Sequence, residues 1–319
     1  MNVVAEGIEG EAVKALDLFA GHGWGVACQQ LGIEELGVEL MPEARATRDA
    51  NGMRTIYSDV WDGLEDRVTV LDYDLLIASP PRQTFSTAGG GAGRRALDEV
   101  LALIDGLADV DPSALREFGE RHDPRTALVL TPLAHVARDV PVFVVWEQVP
   151  PVLPVWQRAA EEMRGWGYSV WTGVLNAEQY GVPQTRRRAV LIARADGVEA
   201  APPIPTHSRY YPRDPKRLDP GVLPWVSMAD AIGWGMEDRP AYTVTGGGTE
   251  TGGAEVFGRR AREAMGNPER RVTVAEAAAL QSYPPGFVFC GSKTKQFLQI
   301  GNAVPPLLAE AILRAVVDD

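Results

Sequence analysis

The sequence predicts a doubly wound α/β protein with a mostly parallel sheet and a smaller, irregular second unit. Three observations carry this. Short apolar runs alternate with helical patterns up to residue 194. A glycine turn, Gly21-x-Gly23-x-Gly25, joins the first strand to the first helix. From about Ala195 to Pro268 the rhythm stops, and Pro, Gly, Arg and aromatic residues dominate.

Taken in order, residues 14–19 read as the first strand, with Val26, Ala27 and Leu31 on the helix after the turn. Such a turn lets a ligand approach the backbone, but its spacing is not the dinucleotide pattern G-x-G-x-x-G, and glycine there can serve steric needs alone. Residues 35–39 form a second strand ending in Glu39, where a carboxylate can accept from ribose hydroxyls or simply sit at the surface. A helix over 42–50 precedes a third strand, 55–60, whose Asp59 or nearby backbone could meet an exocyclic amine. The fourth strand, 73–78, runs into Ser79-Pro80-Pro81-Arg82-Gln83-Thr84-Phe85-Ser86. Two prolines end a strand in a stiff turn, at the sheet edge where α/β proteins place ligands. The glycine run 89–93 behind it reads as a lid or a passive linker.

Helical patterns fill 96–137, and 142–146 is a fully apolar strand leading into Glu147-Gln148. A carboxylate at the end of a buried strand needs a partner or a task. After a helix from about Pro154 to Trp166, strands 168–175 and 189–193 flank Gln184-Thr185-Arg186-Arg187-Arg188. A helix opening near Arg271, the run Gln299 to Pro306 and a last apolar helix to Val317 complete the chain.

The 319 residues carry a net charge of −12, which argues against holding nucleic acid by bulk charge. The distribution matters more. Residues 1–80 are strongly acidic, whereas 184–217 hold eight Arg and Lys against three acids, and a second basic cluster spans Arg259 to Arg271. This suits one local anionic partner, or a solvated charged surface. Two cysteines, Cys28 and Cys290, give neither a disulfide framework nor a metal cluster, so no metal is expected. No apolar run suggests a membrane span and no signal peptide is visible, so a cytoplasmic monomer is the expectation.

The ordered series Asp17-Leu18-Phe19-Ala20-Gly21, Glu39, Asp59, Ser79-Pro80-Pro81, Glu147, Gln184 to Arg188, Arg271 to Gln281 and Gln299 to Pro306 resembles the DNA cytosine-5 methyltransferases. The resemblance covers nearly the whole chain except 195–268. It implies a Rossmann-like domain over 1–194, completed by 269–319, and a target-recognition domain over 195–268. It implies S-adenosylmethionine as methyl donor, with S-adenosylhomocysteine as product, held by Phe19, Gly21, Gly23, Trp24, Glu39, Asp59, Pro80, Asn302 and Val304. Double-stranded DNA is the implied partner, in a restriction-modification setting, with Gln83, Ser86, Arg94, Arg95, Arg187, Arg209, Thr245 and Gly246 as contacts. It implies that the target cytosine leaves the duplex, that Glu147 holds its edge and protonates ring nitrogen 3, and that Arg186 and Arg188 contact base and phosphate.

One departure is severe. In the family a cysteine follows Ser-Pro-Pro, and its thiolate adds to carbon 6 so that carbon 5 can attack the methyl group; here Arg82 stands there. A guanidinium stays protonated and is no nucleophile. Gln148 replaces the usual Asn that braces the loop, and Trp24 a commonly small residue. The sequence thus implies a cytosine-5 methyltransferase silent or much impaired as written. The alternatives are a non-catalytic donor- and DNA-binding homologue, or a relative with an RNA substrate or altered chemistry.

Overall fold

The computed structural model describes residues 12–65, 68, 72–82, 85, 95–109, 111–246 and 270–318. Nine short runs form its strands: β1 Lys14–Leu18, β2 Glu34–Val38, β3 Arg54–Tyr57, β4 Leu75–Ala78, β5 Phe143–Gln148, β6 Ser169–Asn176, β7 Gln184–Thr185, β8 Arg187–Arg194 and β9 Ala241–Tyr242. Seven make one sheet in the order β3-β2-β1-β4-β5-β8-β6. β1 to β5 run parallel, and β8 is antiparallel to both β5 and β6. This is the mostly parallel, doubly wound sheet that the strand–helix alternation implies.

The central strands are apolar on both faces because both are covered. On one side Leu16, Leu18, Leu76, Val144 and Trp146 pack against Trp156, Ala160 and Met163 of the helix Leu153–Gly165 and against Leu133 and Val136 of Thr131–Asp139. On the other, Ala15, Ile77, Val145 and Ile192 meet α1 (Gly23–Leu31) and the last helix, Pro306–Val317. The chain end thus returns to cover the first strands.

One boundary differs from expectation. The third strand ends at Tyr57; Asp59 instead caps α3 (Val60–Leu64), its Oδ1 accepting from the Trp61 N–H at 3.1 Å. Glu147 and Gln148 are the last two residues of β5, paired with Val190 and Ala189, at the end of that buried strand. By length and composition Lys293–Val317 could cross a membrane. It is two helices, broken by extended backbone at Ala303 and Pro305, and Phe297, Ile300, Val304, Leu308, Ile312, Leu313 and Val316 lie in the protein core, whereas Leu307 is exposed.

After β8 the described chain to residue 246 holds little regular structure: one turn of helix at Met228–Ile232, opened by a Ser227–Asp230 capping box, and β9 paired with β7. Its apolar residues Met228, Met236 and Val244 join Leu280, Tyr283, Phe297 and Ile300 in a third core cluster.

Candidate active site

Five parallel strands end along one edge of the sheet. Beyond them lies a cavity of about 510 Å³ bordered by Phe19 and Gly21 after β1, Glu39 after β2, Asp59 after β3, Ser79 to Arg82 after β4, and Glu147 of β5. The strand order reverses between β1 and β4, the switch point where open α/β sheets bind ligands. Asn302, Ala303 and Val304 close the wall from the C-terminal segment.

The first turn is built for close approach. Phe19 adopts φ 61°, a left-handed conformation that costs a non-glycine residue about 1–3 kcal/mol. A Cβ on Gly23 would lie 2.1 Å from the Val304 carbonyl oxygen, so only glycine lets the C-terminal segment dock here. Space opens beside Gly21, where a Cβ would meet nothing within 4 Å. The Glu39 carboxylate accepts from the N–H of Gly21 at 2.8 Å and of Met41 at 2.7 Å. Each oxygen keeps a lone pair for a ligand hydroxyl.

Beneath the turn lies a buried charge cluster that sequence reasoning missed. Arg48 of α2 (Pro42–Ala50) is fully buried; it donates to the Gly21 carbonyl at 3.1 Å and pairs with Glu35 at 2.7 Å. Burial pushes the neighbouring Asp17 carboxyl well up, with Glu35 adding to the effect. His22 is buried against Tyr283, Phe287 and Phe289, and burial, with Arg48 nearby, pushes it down to about 3. It is a neutral core histidine. Nothing in a polar amphipathic helix marks Arg48 as an inward residue.

The proline loop is braced twice. Gln148 Nε2 donates to the Pro80 carbonyl at 2.5 Å, so the longer amide reaches its loop. Trp24 Nε1 donates to Ser79 Oγ at 2.9 Å. Arg82, half-buried, donates from Nε and Nη2 to Asn302 Oδ1 at 3.3 and 3.1 Å. Glu147 is paired with Arg188 at 2.5 Å. Burial lowers both Arg82 and Arg188 from the usual guanidinium value, and Glu147 pulls both the other way.

All nine expected donor-pocket residues, with Arg82, Glu147 and Arg188, border this one cavity, as do Arg125 and Leu128, which no motif marks. Arg186 does not. It is fully buried, its guanidinium donating to the carbonyls of Val244 at 3.0 Å, Gly301 at 3.1 Å and Ala303 at 2.8 Å. In this arrangement it clamps two other chain segments to its own and is not presented to a base or phosphate. Gly246 is pressed on a helix: a Cβ there would lie 2.7 Å from the Leu298 Cα. Thr245 beside it is half-buried, whereas Arg95, Arg187 and Arg209 are exposed. Gln83, Ser86, Arg94 and the glycine run 89–93 lie outside the described residues. Neither cysteine borders the cavity; Cys28 is buried, and burial pushes its thiol well up.

The sequence model of the C-5 cytosine-specific DNA methylases matches residues 119–221 and 225–318. A type II methyltransferase of Arthrospira platensis, M.AplI, is 30% identical over 94% of this chain and 84% of its own length. M1.HphI of Haemophilus parahaemolyticus is 30% identical over 95% of this chain and 86% of its own. The chain belongs to the C-5 cytosine-specific DNA methylase family. The fold agrees: the Entamoeba histolytica methyltransferase EhMeth superposes with a TM-score of 0.65 at 13% identity over 97% of this chain and 99% of its own. The S. pombe Dnmt2 methyltransferase does so with 0.62 at 14% identity, over 95% and 97%. Members of this family transfer a methyl group to carbon 5 of cytosine in DNA.

Proposed function

We propose that this chain binds S-adenosylmethionine and duplex DNA as a cytosine-5 methyltransferase does, and that its methyl transfer is silent or much reduced. The observation that carries the second part is the position of Arg82. It follows Ser79-Pro80-Pro81, borders the cavity and is hydrogen-bonded to Asn302, so a cation without a lone pair stands where the reaction needs a nucleophile.

The cavity suits the donor in the chemistry of its walls. Glu39 and Asp59 offer carboxylate oxygens to ribose hydroxyls and an adenine amine, and Phe19, Trp24 and Val304 supply apolar surface. When bound, the donor supplies an electrophilic methyl group. Glu147, fixed by Arg188, is the group placed to hold the target base edge. Residues 195–268 act as the target-recognition part, and residues 269–319 complete the donor-binding part.

Loss of a nucleophile from a concerted catalytic set lowers turnover by on the order of 10⁴ to 10⁶. Radiolabelled methyl transfer to duplex DNA should therefore be near background for this chain and appear in Arg82→Cys. Strong transfer by the Arg82 form would defeat the silent-enzyme reading. No transfer by Arg82→Cys, with donor binding intact, would favour a binding protein, and the same assay on RNA tests an RNA-directed relative.

A further inference from the structure

Three guanidinium groups border the cavity, and two of them are held in ion pairs. Arg82, Arg125 and Arg188 all border it. Arg188 is paired with Glu147 and Arg125 with Asp123. Arg82 has the neutral amide oxygen of Asn302 and, among the described residues, no carboxylate within ion-pair distance. Glu147 acts on Arg82 only as a carboxylate already paired with Arg188, so an entering anion would lower the cost of burying part of this guanidinium. The fork has donors left over, and guanidinium matches a carboxylate in geometry as well as charge.

We propose that Arg82, with Asn302 orienting it, forms an oxyanion subsite whose occupant is the carboxylate at the amino-acid end of the donor or product. The inference rests on the reading of this cavity as a donor site. The charge pattern along the cavity supports that occupant. Glu39 and Asp59 provide acceptors at one end, as a nucleoside needs, and Arg82 and Asn302 provide donors at the other, as an acid needs. A single molecule with a nucleoside at one end and an amino acid at the other satisfies both. Arg82 also repels a sulfonium, so the subsite favours the uncharged thioether of S-adenosylhomocysteine over S-adenosylmethionine. The substitution that removes the nucleophile would then turn the pocket into a holder of product.

Isothermal titration calorimetry tests this without turnover. The ligands are S-adenosylhomocysteine, its analogue lacking the carboxylate, and inorganic phosphate. The proteins are the native chain, Arg82→Gln and Arg82→Lys. The native chain should bind S-adenosylhomocysteine at least about tenfold more tightly than the analogue, the size of one charge-assisted contact. In Arg82→Gln that ratio should collapse towards one, and Arg82→Lys should keep part of it. An undiminished ratio in Arg82→Gln overturns the inference while leaving the donor reading in place. Phosphate binding that depends on Arg82, without carboxylate discrimination, gives the subsite to a free oxyanion and also overturns the assignment. No S-adenosylhomocysteine binding to any form removes the donor reading itself, and this inference with it.

Discussion

Single residues carry the chemistry of this chain, and Glu178 shows how far burial alone can move one. It sits in the turn before β7, almost fully buried, with Oε2 lacking a hydrogen-bond partner. Burial pushes its carboxyl up to about 7, against the opposing pull of Arg209 and Arg187 and of a backbone contact with Tyr210. A raised native value means that the folded chain holds a proton which the unfolded chain releases. The contribution is fully present below about pH 4.5 and is lost as pH rises towards 7. The loss is about 3 kcal/mol at pH 8. Glu178→Gln should remove it: in urea unfolding the variant should match the native chain at pH 4.5 and exceed its stability at pH 8. An equal difference at both pH values would show that packing, not titration, sets the effect. The sequence offers no hint of this group, because Ala177-Glu178-Gln179-Tyr180 looks like a solvated turn.

Among the elements, the segment running through β9 to Gly246 is the one held by others. Val244 donates its N–H to Gln184 Oε1 at 3.0 Å and offers its carbonyl to Arg186, and Thr243 Oγ1 donates to the Thr185 carbonyl at 2.8 Å. On the far side the segment lies against the helix Lys293–Asn302 so closely that a Cβ on Gly301 would fall 1.9 Å from the Gly246 nitrogen. Gly301→Ala should therefore push the segment off its seat, lowering stability by about 1–3 kcal/mol. Limited proteolysis should then open the chain between 241 and 270. Gly165→Ala, whose Cβ meets nothing within 4 Å, is the control and should change neither. A silent Gly301→Ala would mean that the two elements yield freely. The strands and helices of the sheet were legible because periodicity and turn chemistry are local. The role of Arg186 was not. Its three acceptors come from residues 244, 301 and 303, and a run of three arginines reads as a basic surface until the fold turns two of them inward.

Across the whole molecule the question is how an acidic protein, with a net charge of −12, holds DNA. The basic stretch from 184 to 217 is not one surface. Arg186, Arg188 and Arg194 are buried, which leaves Arg187, Arg209, Arg213, Lys216 and Arg217 exposed. An aromatic face supports one member of this set, the Arg217 guanidinium lying 4.1 Å over Tyr211, and nearby Arg239 lies 3.7 Å over the exposed Tyr242. Stacking fixes where a guanidinium points without neutralising it, which suits a phosphate contact. Tyr242 pairs in register with Thr185, two residues from Arg187, so this face adjoins the strand that carries Arg188 into the cavity. Each phosphate contact contributes about −0.9 to the slope of log affinity against log salt. Removing Arg213, Lys216 and Arg217 together should weaken duplex binding and flatten that slope by about one unit per lost contact. Lys14, at the opposite end of β1 from the cavity, should change neither when replaced by Ala. Fluorescence anisotropy of a labelled duplex over a salt series measures both quantities. An unchanged slope in the triple variant would move the DNA face elsewhere, and a flat slope in the native chain would rule out phosphate contacts as the source of its affinity.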